Sequence, residues 1–288
     1  QTAFAVPLDG VPKGEERIYA DDTLVLMMRL DIERAAEGDR DARLSLDVVT
    51  KGPEKLAVDN GLVFVDGTQP LRLRMLVTST DSAERYSLEA GDNKVAYTAR
   101  LTADAPSRTL YIAIPYITLT EQSEWAKLRE LQYGEAFEAV RSYWRNRVAQ
   151  GTQIVTPEPM INDFYKADVS HLLLNTDREV GASDRYVARV GTFSYGAYSN
   201  ESCMMVSDLD RRGYHKRAEQ ALETWLHYQG SVALPGTYSN HDGVFYGVRG
   251  YEDGGYNQHH GFVLWCLGEH YWYTRDAEWL KRAAPKIV

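Results

Sequence analysis

The chain has 288 residues, 44% of them hydrophobic and 25% charged, which is enough for two ordinary domains with separate cores. A formal net charge of −9 and the lack of any Lys/Arg cluster argue against a nucleic-acid partner, because a phosphate backbone is held mainly by grouped cations. No stretch approaches the roughly 20 apolar residues that cross a bilayer, so no membrane partner is expected.

From Arg17 to about Thr118 the pattern is that of strands. Thr23 to Ile32, Leu44 to Val49, Leu62 to Val65, Leu71 to Thr78, Lys94 to Leu101 and Thr109 to Ile117 are short, rich in Val, Leu, Ile and Tyr, and often alternate. Lys51-Gly52-Pro53, Asp59-Asn60-Gly61, Asp66-Gly67 and Ala90 to Asn93 supply the backbone angles that hairpin turns require. Several short strands at this spacing predict a β-sandwich over residues 1–119.

The period changes at Thr120. Thr120 and Ser123 are candidate caps for a short helix, and Phe137, Val140, Tyr143, Trp144 and Val148 recur at near-helical spacing, so residues 120–152 are expected to be linker helices. Further helices are expected over Pro159 to Thr176, Asn200 to Gly213, Lys216 to Tyr228, Asn257 to Thr274 and Asp276 to Val288. Two stretches resemble each other, Arg211 to Leu222 and Tyr273 to Leu280, and each reads as a helix, a tight turn and a second helix.

Nineteen Tyr and six Trp offer flat apolar faces with hydrogen-bonding tips, which suit a sugar ligand and also serve large cores. Cys203 and Cys266 lie in no metal-binding spacing and read as small buried apolar residues. Gln1 in place of an initial Met fits a processed precursor or an excised piece, and leans towards a secreted or periplasmic setting.

The runs Phe137 to Trp144, Ile154 to Pro159, Asn162 to Leu174, Leu209 to Tyr214, Gln258 to Leu267, His270-Tyr271 and Thr274 to Leu280 resemble the barrel entry of the six-hairpin glycosidase superfamily, which includes glucoamylases, trehalases and α-rhamnosidases. The likeness spans about Phe137 to Val288. It implies a multidomain β + α protein: a β-sandwich, a linker helix, and over residues 153–288 the first hairpins of an (α/α)6 toroid. Only four or five of the twelve helices of such a toroid are found here, so the barrel is expected to be completed by further chain segments or subunits.

The same resemblance implies a glycoside hydrolase acting on a terminal sugar, inverting, without cofactor. That reaction needs two carboxyl groups roughly 6.5–9.5 Å apart, one acid and one base. In the relatives the base lies near the end of the barrel and the acid near its middle, so the catalytic pair is expected beyond Val288 and stays unnamed. A lyase or phosphorylase on a related barrel, or a non-catalytic carbohydrate binder, are the alternatives.

Two loops carry the expected substrate contacts. The first runs from Arg189 to Glu201 and offers Arg189, Tyr195, Tyr198, Asn200 and Glu201; Asn200-Glu201 stands where glucoamylase-like relatives carry an Arg-Asp pair that grips hydroxyls. The plainer reading makes Asn200 a helix cap and sets Glu201 against the helix dipole.

The second loop holds His241 and Asp242 and runs on through Arg249 to Tyr251, Glu252, Asp253, Tyr256, Gln258, His259 and His260. It crowds carboxylates, amides and rings into a Gly-rich segment suited to vicinal hydroxyls. No metal is expected at His259-His260, because adjacent helical residues point about 100° apart. Trp265 and Trp272, seven residues apart, are read as core. There is no G-x-S-x-G elbow and no phosphate or dinucleotide loop.

Overall fold

The computed structural model describes residues 1–12, 22–35, 37–38, 40–49, 52–80, 86–179, 185–190, 197–234, 236–248 and 258–288. A region of β-sheet is followed by helices, and the chain divides into two compact units, Gln1–Tyr143 and Trp144–Val288. The division falls within one helix, so each unit is described on its own.

In the first unit the described residues form nine strands in two antiparallel sheets. One has six strands in the order β1(Thr2–Pro7), β2(Leu24–Glu33), β9(Ser107–Pro115), β6(Arg72–Ser79), β5(Leu62–Val65), β4(Leu56–Asp59); the other has three, β3(Arg40–Asp47), β8(Lys94–Leu101), β7(Tyr86–Gly91). The larger sheet is covered on both faces, which is why β5 reads as an unbroken apolar run. Val63 and Val65 join Met75, Val77, Leu110 and Ile112 against Val95, Tyr97 and Ala99 of the smaller sheet. Leu62 and Phe64 point the other way, into a core with Leu73, Leu76 and Leu128.

The register between β5 and β6 shifts at Val63/Phe64, which pair with Met75 and Leu73, leaving Arg74 as the extra residue of a β-bulge. The bulge lets Leu73 and Met75, two apart in sequence, serve opposite cores. Strands β1, β4 and β7 were not expected from the sequence. Helix α1(Gln122–Glu130) is capped by Glu121, not by Thr120 or Ser123: the Glu124 carboxylate accepts from the Thr120 and Glu121 amides, both at 3.2 Å. Helix α2 covers Tyr133–Ala149.

In the second unit, α3(Pro159–Leu174) gives way to a small hairpin of β10(Thr176–Arg178) and β11(Tyr186–Ala188), then α4(Ser199–Arg211), α5(His215–His227), α6(Gln258–Thr274) and α7(Ala277–Ile287). Thr176, expected to end α3, begins β10 instead. Gly213, at φ +85, closes α4, with Gly213 and Tyr214 amides returning to the Asp210 and Leu209 carbonyls, and the short turn sends α5 back antiparallel. Asp276 starts α7 by accepting from the Glu278 and Trp279 amides at 2.9 and 3.0 Å.

Two contacts fix the arrangement of α4 and α6. Cys266 Sγ lies 3.6 Å from the Cys203 carbonyl, and His270 meets Asp210, so residue numbers rise together and the two helices run parallel. Their partners also lie side by side, Arg282 of α7 bonding both Glu219 and Glu223 of α5 at 2.9 Å. Two αα-hairpins therefore stack in register, α4 beside α6 and α5 beside α7. Their shared core includes Cys203, Val206, Leu209, Leu222, Trp225, Val263, Leu267 and Trp279.

Trp265 and Trp272 are a correction. Val263, Cys266, Leu267 and His270 turn into this core, whereas Gln258, Gly261, Trp265, Gly268 and Trp272 form an exposed stripe, the two indoles 44% and 64% accessible. Seven-residue spacing does put them on one face, but it is the face that α4 does not cover.

Candidate functional site

Parallel α4 and α6 open their N-terminal ends in the same direction, at one end of the helical unit. The antiparallel return of α5 brings its C-terminus there as well.

At α4 the chain enters through Tyr198, the N-cap residue, with φ −67 and ψ 123. Asn200 is therefore the second helical residue and not the cap expected of it; no side-chain cap bond is made. Glu201 sits in the first turn, where a negative charge meets the positive end of the helix dipole. Its Oε2 is buried and has no hydrogen-bond partner among the described residues, and the Ser199 Oγ, in a residue 1% exposed, likewise has none there. The Ser202 hydroxyl donates to the Ala188 carbonyl, which ties the β10–β11 hairpin to the same turn.

Arg189 follows that hairpin and is paired with Asp177 at 2.6 Å, its side chain mostly buried. Its first duty is thus to hold the two strands together. Thr224 Oγ1 donates to the Tyr186 carbonyl at 2.8 Å, fastening the hairpin to α5.

At α6, Gln258 is exposed and His259 is buried, its ring stacked 6.0 Å from that of Tyr246. His260 Nδ1 accepts the Phe245 amide at 3.0 Å, so its proton belongs on Nε2, and burial lowers its pKa below the ordinary 6.5. Val244 to Val248 are all buried, and Phe245 and Tyr246 stack on the His260 and His259 rings respectively, both at 6.0 Å.

His241 and Asp242 occupy an exposed turn. Asn240 Oδ1 accepts the Asp242 amide at 2.9 Å, and Gly243 at φ +75 completes the bend. Gln229 holds the turn to the end of α5 and to α7, bonding the Gly243 and Lys286 carbonyls at 3.2 and 2.6 Å. Tyr195, Tyr251, Glu252, Asp253 and Tyr256 lie outside the described residues, as do Arg249 and Asn257.

The opposite end of α4 holds polar groups that the sequence reading did not pick out. Asp210, 2% exposed, accepts from His270 Nδ1 at 2.9 Å and from His215 Nδ1 at 2.9 Å, joining α4, α5 and α6. Arg212 bonds Asp168 at 2.5 Å, Asp208 at 2.9 Å and the Tyr165 carbonyl at 3.0 Å while stacking on the Tyr165 ring, which clamps α3. Back at the end where α4 begins, buried Glu179 is paired with Arg185 at 2.8 Å and accepts from the hydroxyl of Tyr228, the C-cap of α5. For Asp210 the available signal was a single ionisable residue on the buried face of a helix.

A groove of about 420 Å³ beside α5 and α7 is lined by Arg185, Lys216, Glu219, Glu223, Arg282 and Lys286. Its arginines are already matched by Glu179, Glu219 and Glu223, so it offers no uncommitted guanidinium. Among the described residues no group of three His, Cys, Asp or Glu side chains is placed to hold a metal, and no helix is long and apolar enough to cross a membrane.

No family model matches the chain, and no curated protein matches it. Among solved structures it is similar to one titled "Putative kojibiose phosphorylase from human microbiome", at 10% identity and a TM-score of 0.48. The match covers 90% of this chain and 41% of that one, so this chain spans about two fifths of the neighbour's length.

Proposed function

We propose that this chain is part of a carbohydrate-processing enzyme that binds a terminal sugar where the loops enter α4 and α6. The observation that carries the reading is the first turn of α4: a buried carboxylate oxygen on Glu201 and a buried hydroxyl on Ser199, neither with a partner among the described residues. Leaving buried polar atoms unpaired costs about 1–3 kcal/mol each, so such atoms are expected where a ligand supplies the missing bonds. A carboxylate only accepts, and a hydroxyl both donates and accepts. Neighbouring hydroxyls on a sugar ring provide both functions at matching spacing.

The stacking of two αα-hairpins in two layers supports the further reading that residues 153–288 contribute to an (α/α)6 toroid, with α4 and α6 lining it and α5 and α7 outside. Glycoside hydrolysis by a carboxylate acid and base is the reaction proposed, with Glu201 a binding group and no catalytic pair assigned. On this reading Glu252, Asp253, Tyr251 and Tyr256 join the substrate contacts.

The test is a panel of oligosaccharides incubated with the complete enzyme of which this chain is part, with and without inorganic phosphate. Release of a free terminal sugar in both conditions supports hydrolysis; a sugar phosphate formed only with phosphate replaces it with phosphorolysis; binding without turnover replaces it with a carbohydrate-binding role. Glu201→Gln is expected to weaken binding about tenfold, in line with the loss of a bond to a charged group. Equal affinity in the variant would remove α4 from the site.

A further inference from the structure

The seam between α4 and α6 contains the only two cysteines of the chain. Both are 0% exposed, and they sit among Val206, Leu209, Val263 and Leu267. The Cys266 thiol reaches the backbone of the other cysteine, its Sγ 3.6 Å from the Cys203 carbonyl oxygen. Contact with the Cys203 thiol, together with burial, pushes the Cys266 pKa well above its ordinary range. Cys266 is therefore a thiol in the closed protein, and neither cysteine is open to reagents in solution.

We infer that Cys203 and Cys266 are a latent covalent tie between α4 and α6, closed as a disulfide when the chain folds in the presence of a small-molecule disulfide such as oxidised glutathione. The thiolate of one cysteine attacks the external disulfide and releases one molecule of thiol, giving a mixed disulfide. The second thiolate then attacks the protein sulfur of that mixed disulfide and expels a second thiol. The two cysteines give up two electrons and two protons, and the oxidant is reduced to two thiols. With no third cysteine in the chain, no competing pairing exists within one molecule.

Burial sets the timing. The external disulfide is attacked while α4 and α6 are still apart and the second exchange completes as they meet; afterwards the core that hides the sulfurs protects whichever state was formed. The bridged residues are 63 apart in sequence, so the bond removes much of the freedom of the unfolded chain. The folded unit thereby retains a record of the redox conditions under which it closed.

The experiment unfolds the reduced chain and refolds it either with dithiothreitol or with a mixture of reduced and oxidised glutathione. Free thiols are then counted after denaturation, with intact mass and melting temperature alongside. The expected result is two thiols from the first route and none from the second, with a mass lower by two hydrogens, a monomer on non-reducing electrophoresis, and a melting temperature raised by roughly 10 °C. Two thiols surviving the glutathione route would overturn the inference, as would glutathione adducts, cross-linked dimers, or an oxidised form that melts no higher than the reduced one. In Cys203→Ser the two routes are expected to give the same melting temperature; a difference there would also overturn it.

Discussion

Two sets of buried polar residues on α4 are treated in opposite ways. At its C-terminal end Asp210 is met by two imidazoles and Arg212 by two carboxylates and a carbonyl. At its N-terminal end the Ser199 hydroxyl and one oxygen of Glu201 are buried with nothing to bond among the described residues. A satisfied network adds rigidity and joins elements, whereas an unsatisfied one lowers stability and is retained where something else benefits. The difference separates polar residues that hold the helices together from those to which the proposed function assigns a ligand, although all of them lie on one helix.

Substitutions can break or sharpen this contrast. The largest effect is expected at the satisfied end: Asp210→Ala leaves His270, 2% exposed, without its acceptor and should destabilise the unit by about 3–5 kcal/mol, read from urea denaturation. A loss below about 1 kcal/mol would mean that the network is incidental. Next is Gly151→Ala beside the same turn, where an added Cβ would lie 2.6 Å from the Arg212 carbonyl and collide with the Tyr214 ring; a loss of about 1–3 kcal/mol is expected.

At the unsatisfied end the sign reverses. Ser199→Ala and Glu201→Gln should leave the unfolding free energy unchanged or raise it by up to about 1 kcal/mol, because each removes an unpaired buried group or its charge. Clear destabilisation by either would show that it has a structural partner.

The smallest effect is one of pH. His260 has a pKa lowered by burial, so above 6.5 both folded and unfolded chains hold it neutral and its contribution is fully present. As pH falls below 6.5 the unfolded chain takes up the proton first, and stability drops until the folded pKa is passed. Denaturation midpoints at two pH values on either side of 6.5 should diverge more for the parent than for His260→Gln, and parallel shifts would exclude His260 as the source.

Much of this architecture is legible in local sequence. Alternation along Leu24 to Glu33 and helical spacing from Ser199 to His227 reflect which side of each element meets a core, and that information is carried by neighbours in the chain. β4 and β7 escaped because they are short and half polar, and are strands only by virtue of pairing with β5 and β8. The Asp210 network escaped for a related reason: its acceptor and the His270 donor are 60 residues apart.

The candidate site was legible in part. Glu201 was visible as an acidic residue opening a helix, but the absence of a partner for it is a property of packing. The pairing of Arg189, expected among the substrate contacts, with Asp177 was not legible, because it spans a hairpin whose strands carry only three residues each and give no periodic signal.

The pairing pattern also sets a schedule for folding. β2 cannot find β9 until Val25 has met Pro115, so the large sheet closes only after nearly the whole first unit has left the ribosome. The turn at Gly213 asks far less: α4 and α5 can meet as soon as both are made, and α6 then has a finished surface to settle on. Within one polypeptide, the segment synthesised first waits for its own far end, while the later segment assembles hairpin by hairpin as it emerges.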